Sequence, residues 1–138
     1  MGVNPDFRDL FSAFSAGEVR FLVVGAYAVI FHSVPRYTKD LDVWVEPTRP
    51  NATRAFQALA RFGAPLEGVS VDDLCRPQTV IQIGLEPNRI DVMTDVAGIP
   101  FELAWSRRAT SSYGGVPIAI LGREDLIAAK RAAGSDEG

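Results

Sequence analysis

Residues 20–45 read RFLVVGAYAVIFHSVPRYTKDLDVWV, and their order decides the fold. Arg20 to Val24 is a short apolar run rich in β-formers and bounded by Gly25. It reads as a buried strand. Ala26 to His32 is apolar nearly all round and follows the glycine directly, so it reads as a buried helix. Ser33 to Lys39 is a loop, because Pro35 disfavours helix in the residue before it. Asp40 to Val45 alternates and reads as a second strand, which Pro47 ends.

Outward from this stretch, Phe7, Leu10, Phe11 and Phe14 recur at helical spacing and predict a helix over 6–16, broken by Gly17. Pro50 to Phe62 predicts another, with Phe56, Leu59 and Ala60 inward and Gly63 as its stop. Residues 64–77 are loop with one helical turn near Val71 to Cys75. Thr79 to Leu85 and Arg89 to Thr94 are strands joined by a tight turn at Glu86-Pro87-Asn88. Phe101 to Arg107 is a short helix. Thr110 to Tyr113 and Val116 to Leu121 form a hairpin around Gly114-Gly115. Glu124 to Ala133 closes the chain as a helix, with Leu126 and Ile127 inward and Gly134 as its cap. Hairpins mixed with crossover helices imply an α/β (α+β) fold, a mixed β-sheet flanked by helices.

The chain has 138 residues, 47% hydrophobic and 22% charged. That suits a single domain over 1–138 with a core that needs no disulfide. One cysteine, Cys75, has no partner in the sequence and is expected to be inert. No apolar run approaches the roughly 20 residues that span a bilayer, and the start lacks the pattern of a signal peptide. A cytoplasmic protein is the expectation. A net charge of −3 argues against broad binding to long nucleic acid.

Strand side chains alternate, so Asp40 and Asp42 share one face while Leu41, Val43 and Val45 enter the core. Two carboxylates this close repel, and burial raises a carboxyl pKa. A divalent cation removes the penalty, and hard oxygen ligands suit magnesium or manganese. Alone, such a pair also fits a solvated strand face. Gly25 adds weight, because a glycine at a strand-to-helix turn lets phosphate approach free helix N–H groups. Asp91 supplies a third carboxylate, on a strand whose Ile90 and Val92 point the other way. Three carboxylates beside a phosphate cradle match the needs of two-metal phosphoryl or nucleotidyl transfer. Asp91 is the candidate base, since the sole histidine, His32, reads as structural.

Val23-Val24-Gly25-Ala26 followed by Asp40-Leu41-Asp42-Val43 resembles the signature of the DNA polymerase β-type nucleotidyltransferase superfamily. The stretch VGAYAVIFHSVPRYTKDLDVWV is similar to bacterial minimal nucleotidyltransferase-like proteins, including relatives of the AbiEii abortive-infection toxin. The resemblance continues in RIDVMTDVAGIPFELAWSRR and LGREDLIAAKRAAG, and covers roughly residues 20–134.

It implies a transferase that moves a nucleoside monophosphate from a nucleoside triphosphate to an acceptor hydroxyl. Asp40, Asp42 and Asp91 match the catalytic, metal-binding set, and Gly25 the first residue of the phosphate turn. Ala26 departs from the usual glycine or serine, so a hydroxyl is missing there, although the backbone N–H remains. Arg36 and Lys130 match basic residues that would contact phosphate. The resembling sequences run on past the position of Gly134, which makes a protein partner a candidate source of the remaining substrate side. A second reading keeps the fold without catalysis, as a nucleotide- or partner-binding module of a toxin–antitoxin system. Trp44 and Asp95 share the parity of the acids; core packing is expected for the first and a loop position for the second.

Overall fold

The structure, a computed structural model, describes residues 3–32, 40–85 and 88–132. Arg36, the Ser33 to Lys39 loop, Glu86 and Pro87 of the tight turn and the Gly134 cap lie outside the described residues, as does the His32 side chain.

Strand β1 (Phe21–Val24) lies inside a six-stranded sheet, with β2 (Asp40–Val45) on one side and β6 (Val116–Ile120) on the other. All four β1 residues are buried, as a strand covered on both faces requires. Beyond β2 come β4 (Arg89–Met93) and then β3 (Val80–Ile83); beyond β6 comes β5 (Ala109–Tyr113). Pairs β1–β2, β3–β4 and β5–β6 run antiparallel, while β1–β6 and β2–β4 run parallel. The sheet is therefore mixed, as the order of hairpins and crossovers implies.

Helix α1 (Pro5–Ala16) starts with Pro5 in its first turn, and the Asn4 side chain accepts hydrogen bonds from the Asp6 and Phe7 N–H groups. Its stripe of Phe7, Leu10, Phe11 and Phe14 is wholly buried. Phe11 stacks on Phe21 at 5.8 Å and Phe14 meets the same ring edge-on at 5.0 Å. Burial of each such ring contributes roughly 2–3 kcal/mol.

Helix α2 (Gly25–His32) leaves β1 without a linker. Helix α3 (Arg49–Phe62) packs on α1 and ends at Gly63, whose φ of 99° needs glycine. Its buried face is Asn51, Ala52, Ala55, Ala58 and Leu59, with Ala60 exposed and Phe56 half-buried. The expected inward position of Ala60 is thus corrected. The helix is rotated so that three alanines let α1 approach closely, and a buried asparagine leads the stripe. Residues Asp73–Cys75 form the one helical turn expected in the long loop.

On the other sheet face, α4 (Phe101–Ser106) sets Phe101 edge-on against Trp44 at 5.1 Å. Trp44 is fully buried and donates from Nε1 to the Thr94 carbonyl at 3.1 Å, so it packs in the core. Helix α5 (Arg123–Ala132) buries Leu126 but leaves Ile127 exposed, contrary to expectation. Asp125 takes the inward place, tied to Arg107 at 2.8 Å. Among the described residues no helix is long and apolar enough to cross a membrane.

Candidate active site

Register brings the acids together. On antiparallel β1–β2, Val24 pairs with Asp42; on parallel β2–β4, Asp40 pairs with Arg89 and Asp42 with Asp91. Side chains two apart on a strand share a face, so Asp40, Asp42, Arg89 and Asp91 form two adjacent cross-strand pairs. Between them Leu41, Ile90, Val43 and Val92 turn into the core and are almost completely buried.

Gly25 follows Val24 and opens α2 with a φ of +69°. A Cβ there would overlap Asp42 Oδ2 and sit 3.1 Å from its Cγ. The glycine is required twice, by its left-handed backbone and by the carboxylate that fills the space. The same packing sets the N-terminal end of α2, the positive end of its dipole, beside Asp42, and Ala26 in that turn is exposed.

The carboxylates are crowded. Burial pushes the Asp42 carboxyl up to about 6, the charges of Asp91 and Asp40 push the same way, and Arg89 offsets part of the rise. Asp91 is also raised, first by burial and then by Asp40, against the lowering effect of Arg89. The sequence alone does not single out Arg89, although its position two before Asp91 gives it the parity of the acids. Its Nη2 donates to Asp40 Oδ2 at 3.2 Å. Its Nε lies 3.4 Å from Asp91 Oδ1, and neither of those buried atoms has a hydrogen bond among the described residues.

A cleft of about 320 Å³ opens beside Asp42, lined among others by Val24, Gly25, Asp95, Leu126 and Lys130. Lys130, on the last helix, thus faces the same space as Gly25. Asp95 lies in the loop after β4, as expected, where its Oδ2 accepts from the Gln78 N–H at 2.8 Å. Asp40 and Asp91 do not line this cleft. A second cavity, about 340 Å³, lies under α1 on the opposite sheet face, among Phe7, Phe11, Tyr27 and Leu41. No carboxylate lines it among the described residues.

No protein-family profile matches the chain, and no curated protein matches its sequence. Among solved structures, a Thermotoga maritima protein assigned as a nucleotidyltransferase superimposes with a TM-score of 0.66 at 14% identity, covering 99% of this chain and 89% of the other. The chain has the nucleotidyltransferase fold. The same nucleotidyltransferase fold appears in the solution structure of the antibiotic-resistance factor ANT(2'')-Ia, with a TM-score of 0.57 at 11% identity over 97% of this chain and 83% of that one.

Within this nucleotidyltransferase fold, the donor set offers carboxylate oxygens, which suit a hard divalent cation. Asp40 and Asp42 share one face of β2, with Asp42 at the cleft, and their crowding is the kind of charge excess that a cation relieves. Asp91 stands alongside but is ion-paired to Arg89. Among the described residues no three histidine, cysteine or acidic groups close around a single point. Arg89 pairs with Asp40 as well, so the residues fit a metal through Asp42 first, with Asp40 and Asp91 available when Arg89 yields them.

Proposed function

We propose that the protein is a metal-dependent nucleotidyltransferase, which transfers a nucleoside monophosphate from a nucleoside triphosphate to an acceptor hydroxyl. One observation carries this reading. The glycine opening α2 is packed so tightly on Asp42 that the turn assigned to phosphate in this reading and a carboxylate form one unit.

In this reading the Gly25 and Ala26 N–H groups hold phosphate oxygens, aided by the positive end of α2. Lys130 reaches the outer phosphates from across the cleft, and Arg36 is assigned the same task from its loop. Asp40 and Asp42 hold magnesium or manganese, with Asp91 as third ligand; a bound divalent cation would stabilise charge on the phosphates and activate a hydroxyl. Asp91, raised above the usual carboxylate range by burial, takes the proton from the acceptor hydroxyl. The acceptor oxygen bonds to the α-phosphorus, the bond from that phosphorus to the bridging oxygen breaks, and pyrophosphate leaves. The net charge of −3 disfavours long nucleic acid as the acceptor.

A second reading keeps the fold but not the turnover, as a nucleotide- or partner-binding module of a toxin–antitoxin system in the bacterial cytoplasm. Alanine at position 26, with no hydroxyl for a phosphate, favours it.

Isothermal titration with a panel of nucleoside triphosphates tests the first requirement. At least one should bind with magnesium, and binding should fall at least tenfold in Asp42→Asn, on the order of 1.4 kcal/mol. Failure of every triphosphate to bind the parent protein in magnesium would overturn the transferase reading and the nucleotide-binding form of the second.

A further inference from the structure

The acid face carries its own cation. Asp40, Asp42 and Asp91 bring three negative charges, and Arg89 neutralises one of them from the position paired with Asp40. Its fit is poor. A charge-assisted bond between guanidinium and carboxylate normally closes to about 2.7–2.9 Å, often in a two-pronged pair. Here the contacts are 3.2 Å and 3.4 Å, and the buried Nε proton finds no hydrogen-bond acceptor among the described residues. The side chain is one-third exposed, so it has a path to solvent. A guanidinium held loosely between two carboxylates, with a way out, is a placeholder rather than a clamp.

We propose that Arg89 occupies the acid face as a resident counter-cation, that a divalent metal must displace it, and that the displaced guanidinium then binds the triphosphate. This rests on the metal-dependent reading above. Arg89 and a metal compete for the same oxygens and repel each other, so metal alone binds weakly. A triphosphate gives the freed guanidinium a new anionic partner that accepts two hydrogen bonds at once. Metal and nucleotide therefore help each other bind, and a metal without its nucleotide is kept out.

The test is manganese titration followed by electron paramagnetic resonance of the free ion. It uses the full chain, with and without a nucleoside triphosphate whose α–β bridging oxygen is a methylene group. In the parent, the analogue should tighten manganese binding about tenfold. Arg89→Met should bind manganese alone about tenfold more tightly than the parent, and the gain from the analogue should shrink. Arg89→Gln, which keeps hydrogen bonds but not the charge, should behave likewise and serves if the methionine variant does not fold. Manganese affinity equal to or below the parent's in the neutral variants, while the parent binds the metal, would overturn the role of Arg89 alone. A parent that binds no manganese with or without the analogue would overturn the metal-dependent reading and this inference together.

Discussion

Gly25 and Asp42 occupy a single space: the carboxylate fills the volume where a Cβ on residue 25 would stand. Strand β1 ends, α2 begins and β2 presents its second acid at this one point. A change on either side of the contact therefore disturbs both the turn into α2 and the acid face.

The contact predicts a coupling between the two positions. Gly25→Ala should destabilise the fold by about 2–3 kcal/mol, from the unfavourable φ and from the clash. In an Asp42→Ala background the overlap with the carboxylate is gone and only the 3.2 Å contact with the Cβ of residue 42 remains, so the same substitution should cost less, about 1–2 kcal/mol. Urea unfolding of the four proteins measures the difference. Equal costs in both backgrounds would mean that Asp42 does not fill the space.

Asp42 also predicts a dependence on pH in the presence of a chelator. Its carboxyl titrates at about 6 in the fold against 3.8 ordinarily, so between those values the folded form binds more protons than the unfolded chain. Stability from this group is therefore lost as pH rises from about 4 to 6, and the penalty is complete above 6. Asp42→Asn should be more stable than the parent at pH 7.5, on the order of 2 kcal/mol, and the advantage should vanish towards pH 4. Melting curves across that range check it. A variant less stable than the parent at pH 7.5 would contradict it.

Asn51 should matter to the fold and not to the chemistry. It is fully buried, accepts from the Arg20 N–H at 2.8 Å, and donates to the carbonyls of Arg20 and Glu46 at 3.0 Å and 2.9 Å. Asn51→Leu strands the Arg20 N–H and the Glu46 carbonyl at the far end of β1, while the Arg20 carbonyl keeps the Glu46 N–H at 3.1 Å, and should cost about 3 kcal/mol. Triphosphate affinity, measured below the melting transition, should be unchanged. A large drop in affinity with stability intact would reverse the assignment.

The elements are legible in the sequence where one periodicity dominates. The Phe7–Phe14 stripe, the apolar β1 run and the alternation of Asp40 to Val45 each allow one structure, and each forms it. Helix faces are less legible where alanine and polar residues alternate. Ala60 and Ile127 are exposed while Asn51 and Asp125 are buried, because paired polar groups take inward places that hydrophobicity alone would not assign them. The acid face is legible through parity for Asp40, Asp42 and Asp91. Arg89 is hidden for want of strand register: its ion pair with Asp40 spans two strands that are 49 positions apart in sequence.

Transfer itself gives the most direct test. The protein is incubated with magnesium, a nucleoside triphosphate labelled at the α-phosphate and a bacterial extract as acceptor pool, and pyrophosphate release and acceptor labelling are followed together. A nucleotidyltransferase should yield both, with loss of at least a thousandfold in Asp40→Ala and in Asp42→Ala, on the order of 4 kcal/mol of transition-state stabilisation. Ala26→Ser should transfer at least as fast as the parent. If the parent and Ala26→Ser both bind the triphosphate yet neither labels any acceptor nor releases pyrophosphate, the chain is a binding module and transfer is not its function.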